Sequence, residues 1–291
     1  MMNTVWSDLV QGTGTLYQSR ALRFGDVMRQ QYMQHFDLRQ CRRLLEIGCG
    51  PGALADSLSR WYPDAEVIGL DRDSEFIRFA QDIAPAARFV EGDATALPFP
   101  DESFDATISN TVSEHVPTEP FYREQYRILT PGGVCLMLSA RRGISIEASC
   151  IREESAFEND IWDRVGERCK ATDQEIGVAA YGMNELQHPI AMEKYGFRNV
   201  TTSYLTVNLT PDNPSTTPEA AHAMINAHRQ TALDAIGFLT RIAADLVTPD
   251  EIDELRRIVN ARYDKRIALY NAGEKQWDTT VCLTMILRGE K

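Results

Sequence analysis

Leu44-Leu45-Glu46-Ile47-Gly48-Cys49-Gly50-Pro51-Gly52 is the stretch that decides the architecture. Its first four residues read as a strand. The glycines behind them let the backbone turn sharply and keep the turn clear of side chains where a ligand can lie against the next helix N-terminus. Leu54, Leu58 and Trp61 then fall at helical spacing. The same strand and helix alternation continues outward. Val67-Ile68-Gly69-Leu70 reads as a second strand, followed by a helix that Ser74 can cap and that buries Phe76, Ile77, Ala80 and Ile83. Arg88-Phe89-Val90 is a short third strand and Phe104 to Ser109 a fourth. A helix from about Glu119 to Leu129 leads to a fifth strand, Gly133 to Ser139, with Pro131-Gly132-Gly133 breaking the helix and allowing the turn.

Beyond Arg142 the rhythm changes. Ile146 to Lys170 reads as a charged helix, Met183 to Tyr195 as a helix stopped by Gly196, and Phe197 to Leu209 as a sixth strand. A turn-rich linker, Pro211 to Pro218, precedes two strong helices. The first places Ile225, Ala232, Ile236, Leu239, Ala243 and Leu246 on one face; the second opens on the capping signal Thr248-Pro249-Asp250-Glu251 and stops at Gly273. Thr279 to Leu287 supplies a seventh strand. The expected fold is α/β: a Rossmann-like seven-stranded, mostly parallel sheet with helices on both faces and a helical cap built from insertions. The expected divisions are an N-terminal helical cap segment over 1–40, a cofactor-binding core over 41–142, a helical insertion over 143–182, core again over 183–210, a helical hairpin insertion over 211–276 and a final core strand over 277–291. Met1–Gln40, Ile144–Ala180 and Pro218–Gly273 are expected to cover the carboxyl edge of the sheet, where ligands of open α/β folds bind.

The 291 residues exceed the ~100 to 200 of an ordinary domain, which agrees with one core enlarged by insertions. Acidic residues outnumber basic ones 42 to 30, for a net charge of -12. Such a field repels phosphate backbones and anionic membrane surfaces, so neither nucleic acid nor membrane is an expected partner. Arg141-Arg142 and Arg256-Arg257 read as solvated pairs. Cys41, Cys49, Cys135, Cys150, Cys169 and Cys282 show no zinc-ligand spacing, and no metal is expected. Without an apolar leader, and with Val134 to Leu138 as the longest wholly apolar run, the expected location is the cytoplasm.

The glycine turn alone has two readings. Gly48-x-Gly50-x-x-Ala53 fits the dinucleotide fingerprint, and Asp71, twenty-one residues after Gly50, suits a ribose in either reading. Three further elements follow in order: Gly69-Leu70-Asp71, Glu91-Gly92-Asp93-Ala94, and Phe104-Asp105 with Leu129-Thr130-Pro131-Gly132-Gly133. With these, the chain from roughly Leu44 to Leu138 resembles the class I S-adenosylmethionine-dependent methyltransferases, in particular the ubiquinone/menaquinone-biosynthesis type. The resemblance implies S-adenosylmethionine as cofactor, S-adenosylhomocysteine as product and a small-molecule methyl acceptor. Gly48, Cys49, Gly50 and Gly52 would line the methionine and ribose portion. Asp71, with Arg72 beside it, would take the ribose hydroxyls, and Asp93, between Gly92 and Ala94, the adenine amino group. Glu46 would face the sulfonium and amino group, and Asn110, Thr111 and the chain as far as His115 would run under the methionine end. The rival readings are an NAD-dependent oxidoreductase and a non-catalytic cofactor-binding partner subunit; the oligomeric state stays open, with a homodimer among the options.

Methyl transfer from a sulfonium is an in-line displacement, so the protein must hold donor and acceptor in contact, exclude water and, where needed, remove a proton. His115 follows the fourth strand and titrates near neutrality, which makes it the first candidate base, with Tyr17 and Tyr181 behind it. Cys150 and Cys169 have no spacing that would hold a metalloid and read as packing residues.

Overall fold

The computed structural model describes residues 6–152 and 155–291. Residues 1–5 of the expected N-terminal cap and Glu153-Glu154 of the expected 143–182 insertion lie outside the described residues.

Three helices come first: α1 (Trp6–Leu9), α2 (Thr13–Arg23) and α3 (Arg29–Phe36). The core then alternates as expected through β1 (Arg43–Ile47), α4 (Ala53–Trp61), β2 (Glu66–Asp71), α5 (Ser74–Ile83), β3 (Arg88–Glu91), β4 (Phe104–Asn110), α6 (Thr118–Ile128) and β5 (Leu129–Ile146). There follow α7 (Ser149–Arg152), α8 (Ala156–Ile176), α9 (Gln187–Lys194), β6 (Arg198–Leu209), α10 (Pro218–Ile242), α11 (Pro249–Asn271) and β7 (Thr279–Glu290). The seven strands form one sheet in the order β3-β2-β1-β4-β5-β7-β6, parallel except where β7 runs antiparallel between β5 and β6. The order reverses direction beside β1, between β2 and β4, and the glycine turn sits at that switch point.

The central strands are apolar on both faces because both faces are covered. Leu44, Ile108 and Leu136 pack with Leu54, Leu58 and Trp61 of α4 and with Tyr32 and Phe36 of α3. Leu45, Ile47, Cys135 and Met137 pack on the other side with Phe121 and Tyr122 of α6 and Met192 of α9. A third core is separate from the sheet: Ile161 and Val165 of α8 meet Ile236, Leu239, Ile252 and Leu255 of α10 and α11. The cap therefore carries its own hydrophobic centre.

Three local expectations are corrected. Asp73, not Ser74, caps α5, because its carboxylate accepts from both Glu75 N and Phe76 N. The helix expected from Ile146 starts later, because β5 continues to Ile146, pairing along β7 from Val134↔Glu290 to Ile146↔Thr279 with a bulge between Ala140 and Arg142. Helix α8 instead begins at a capping box in which Ser155 and Glu158 satisfy each other's backbone. The helix expected from Met183 begins only at Gln187, since Asn184 Oδ1 accepts from Leu186 N and Gln187 N and holds a turn there.

The hairpin α10–α11 is anchored at both ends by one buried guanidinium. Arg266, fully buried, pairs with Asp212 (2.9 Å) just after β6 and with Asp278 (2.6 Å) just before β7. Asp212 also accepts from the backbone of Gln276 and Trp277. The chain thus leaves and rejoins the sheet at a single ionic knot.

Candidate functional site

At the carboxyl ends of β1, β2 and β4 lies a cavity of roughly 350 Å³. Its floor is built by the glycine turn. Gly48 N and Cys49 N both donate to Leu70 O (2.7 and 3.0 Å), folding the turn back onto β2. Gly48 has φ +66°, and a Cβ there would collide with the Val112 side chain, so this position needs a glycine twice over. Gly50 N donates to Asp71 Oδ2 at 2.8 Å and Asp73 N to Asp71 Oδ1 at 2.9 Å, which fixes the Asp71 carboxylate at the mouth of the switch point. Each oxygen keeps a lone pair for a ligand donor. Burial raises the Asp71 pKa, and the two backbone N–H groups oppose that shift.

Asp71 and Asp93, on which the sequence reading hinges, line the same cavity. Asp93 Oδ1 accepts from Thr95 N and Thr95 Oγ1, both at 2.7 Å, a turn that orients the carboxylate. Of the residues expected to touch a cofactor, Glu46, Gly48, Cys49, Gly50, Asp71, Arg72, Gly92, Asp93, Ala94, Asn110, Thr111 and His115 all line the cavity. Gly52 does not. It serves packing instead: at φ +87°, a Cβ would lie 2.8 Å from Ala80 Cβ and 3.1 Å from the Phe89 ring.

Glu46 is 2 % exposed, and its Oε2 is buried without a hydrogen-bond partner. Burial raises its pKa well above the ordinary carboxylate range; the Ala55 backbone opposes the rise, Asp71 adds to it and Arg20 opposes it. A buried carboxylate with an unmatched oxygen facing a cavity is costly unless a donor or cation arrives there.

The roof comes from the N-terminal segment, through Trp6, Gln11, Leu16, Arg20 and Phe24, and from Val178 beyond α8. Leu16, Arg20 and Phe24 share one face of α2 at i, i+4, i+8. Arg20 Nη2 donates to Thr111 Oγ1 at 3.2 Å, and burial together with Arg23 brings the Arg20 pKa down to about 10. Sequence reasoning missed this residue. Its signal was present as a cation in the middle of an apolar helical stripe. The roof is pinned at three points: Ser7 N donates to Asp73, Gly12 N to Asp234 of α10, and the Arg241 guanidinium to Asp8 O. No described residue of α10 or α11 lines the cavity. The hairpin expected to cover the carboxyl edge is a second layer that braces α2.

The base candidates separate. Tyr17 is half-buried outside the cavity with its ring 5.5 Å from Phe79, and Tyr181 is 43 % exposed and also outside it. His115 lines the cavity, but its Nδ1 accepts from Ala179 N at 3.0 Å and its ring meets Trp6 edge-on at 4.6 Å. An acceptor Nδ1 in a neutral imidazole places the proton on Nε2. Cys150 and Cys169 are free thiols whose pKa values burial raises, and among the described residues no cluster of His, Cys, Asp or Glu has metal-binding geometry.

A seven-stranded sheet of this order, with a glycine turn and strand-end acids around one cavity, has the Rossmann-like α/β architecture. Comparison with known proteins agrees. Residues 45–137 match the family model described as a methyltransferase domain. Fatty-acid O-methyltransferase of Mycolicibacterium smegmatis is 42% identical over 104 residues, covering 34% of this chain and 38% of that protein. Demethylmenaquinone methyltransferase of Thermus thermophilus is 40% identical over 102 residues, covering 33% of this chain and 46% of that one. The matches thus span less than half the length of these relatives. Phosphoethanolamine N-methyltransferase 2 of Haemonchus contortus, solved in complex with S-adenosyl-L-methionine, shares the fold at 16% identity. Its TM-score is 0.54, over 99% of this chain and 59% of that one.

Proposed function

We propose that the chain is an S-adenosylmethionine-dependent methyltransferase that acts on a small, largely apolar acceptor enclosed beneath the α2 roof. The observation that carries this reading is the convergence of Glu46, Asp71 and Asp93, from the ends of β1, β2 and β3, on one cavity over the glycine turn. Asp93 holds the adenine amino group and Asp71 the ribose hydroxyls, as acceptor-only carboxylates suit. The zwitterionic methionine end falls between two opposite charges: the unmatched Glu46 oxygen takes the ammonium, and Arg20, on the opposite wall, takes the carboxylate. Gly92 and Ala94 flank Asp93 on the cavity wall.

When bound, this ligand supplies a methyl group made electrophilic by its sulfonium. The chain's own residues then act by placement. Glu46 and Arg20 fix the methionine arm, and the apolar roof of Trp6, Leu16, Phe24 and Val178 excludes water from the reacting atoms. The acceptor is a small molecule because the roof, pinned at Ser7, Gly12 and Asp8, leaves a half-covered pocket instead of a flat surface. A cytoplasmic setting fits the six free cysteines, and no described helix is long and apolar enough to cross a membrane. The proposed divisions at 40, 182, 210 and 276 fall between elements, and the one at 142 moves to 146, where β5 ends.

Isothermal calorimetry tests the reading directly. Binding of S-adenosylmethionine and S-adenosylhomocysteine without NADH is the expected result; NADH binding without either of them overturns the reading in favour of a dehydrogenase.

A further inference from the structure

The acceptor must reach the cavity past groups that take or give protons, and the structure shows what each of those groups is already doing. The described proton-accepting side chains that line the cavity are Glu46, Asp71, Asp93, His115 and the Cys49 thiol. In the reading proposed above, on which this inference rests, the three carboxylates hold the cofactor. Cys49 is buried, which pushes its thiol pKa well up, so it stays protonated. Only His115 remains, and its one basic lone pair, on Nδ1, is occupied by the Ala179 N–H at 3.0 Å.

That bond is part of a joint. Tyr181 N donates to Glu114 O at 2.9 Å, so the chain beyond α8 is laced to the loop after β4 at two successive residues, and Trp6 meets the His115 ring edge-on at 4.6 Å. Burial lowers the His115 pKa; Glu114 opposes that shift, while Arg72 and Arg20 reinforce it. The ring is therefore held neutral, with its proton on Nε2. We infer that His115 donates a hydrogen bond to the acceptor and takes no proton, so the acceptor is one whose nucleophile arrives already ionised: a carboxylate on an apolar body.

The chemistry balances without a base. A carboxylate oxygen lone pair forms the new O–CH₃ bond as the S–CH₃ bond breaks, and the pair in that bond stays on sulfur, leaving a neutral thioether and a methyl ester. No proton moves. An alcohol, a phenol or a primary amine would each need to lose one, whereas a carboxyl group with a pKa near 4 is ionised at neutral pH. The apolar lining of Trp6, Leu16, Phe24, Val112, Val116 and Val178 suits the rest of such a molecule. An acceptor oxygen at the Nε2–H would be oriented as it attacks, which makes His115 a positioning residue.

The test uses the full chain. Calorimetry with S-adenosylmethionine comes first; no binding there sinks the parent reading. With binding established, a panel sharing each apolar body but differing in its head is assayed: decanoate, 4-phenylbutyrate and 3-(2-naphthyl)propionate against the matching alcohols and amines. Methyl esters from one or more carboxylates are expected, with the acceptor's kcat/KM, measured at saturating S-adenosylmethionine so that cofactor binding does not enter, flat between pH 6.5 and 9. His115→Asn, which keeps a donor, should retain kcat/KM within about 5-fold, whereas His115→Phe should lose about 30-fold, mostly in acceptor KM. Independent of turnover, ¹⁵N-detected NMR of the chain with S-adenosylhomocysteine bound should show His115 as the Nε2–H tautomer. Preferential methylation of an amine or alcohol, no carboxylate turned over by a chain that binds S-adenosylmethionine, an Nδ1–H tautomer, or a rate rising tenfold per pH unit through neutrality would each overturn the inference.

Discussion

Replacing Glu46 by Gln asks whether the buried acid exists for a cationic ligand. The side chain is 2 % exposed, one oxygen has no partner, and burial has raised its pKa. Glutamine keeps the shape and removes the charge. For a ligand ammonium desolvated against this wall, losing its buried counter-charge costs about 3 kcal/mol, roughly a 150-fold weaker Kd for S-adenosylmethionine. 5′-Methylthioadenosine has the adenosine and sulfur but no ammonium, so its affinity should change less than about 3-fold. The pair of ligands separates a local charge effect from a damaged fold. The pH dependence has a definite sign. A carboxyl group whose folded pKa lies above its unfolded value contributes stability that is complete below the unfolded pKa, and that contribution is lost as pH rises through the folded pKa. Wild-type thermal stability should therefore fall relative to Glu46→Gln as pH climbs from about 4.5 toward the raised value, at up to ~1.4 kcal/mol per pH unit. Over the same window S-adenosylmethionine should bind tighter with rising pH, since the ionised acid is the binding form. Calorimetry and differential scanning calorimetry across pH 4.5–8 measure both. Equal Kd values for the variant and wild type, or an equal loss for 5′-methylthioadenosine, would refute the reasoning.

Arg20→Gln should weaken S-adenosylmethionine and S-adenosylhomocysteine alike by about 10- to 30-fold, from the loss of a charge-assisted pair of ~1.5–2 kcal/mol, and leave 5′-methylthioadenosine unchanged by calorimetry. Asp71→Ala should weaken all three adenosine ligands by at least about 10-fold, because it removes a ribose acceptor and frees the Gly50 and Asp73 N–H groups it holds. Gly52→Val should cost about 3 kcal/mol in urea denaturation, since φ +87° and the 2.8 Å approach to Ala80 add strain to overlap, while Gly132→Ala, at φ +80° with open space around it, should cost only about 1 kcal/mol. Arg266→Met strands the buried Asp212 and the half-buried Asp278 and should lower stability by about 3 kcal/mol, with much of the loss recovered in Arg266→Met/Asp212→Asn/Asp278→Asn.

The floor of the site was legible because its constraints are local. A strand, a turn needing positive φ and a helix must follow one another within a few residues, and Gly48, Gly50, Asp71 and Asp93 stand at fixed steps from strand ends. Even there the sequence overreached at Gly52, since the packing of α5 and β3 that requires a glycine is indistinguishable in sequence from the approach of a ligand. The roof was only half legible. Its helical content is plain in the periodicity, but which helix touches the cavity depends on tertiary packing across more than 200 residues, as the Gly12–Asp234 bond shows. The role of His115 was hidden for a related reason. Its candidacy came from its place after β4, whereas its Nδ1 accepts from Ala179 N, sixty-four residues away.

The insertion α10–α11 contributes no described residue to the cavity, yet it bears on what the cavity can do. With α8 it shares a hydrophobic core distinct from the two on the faces of the sheet. The Arg266 knot fixes where that body starts and ends, and Asp234 and Arg241, both on α10, hold the chain at Gly12 and Asp8. The roof is thus bonded mainly through backbone groups to a rigid support, while its cavity face is a short apolar stripe with one cation. The roof is also held from below, because Phe24 belongs to the core on the α4 face of the sheet and Leu16 is buried.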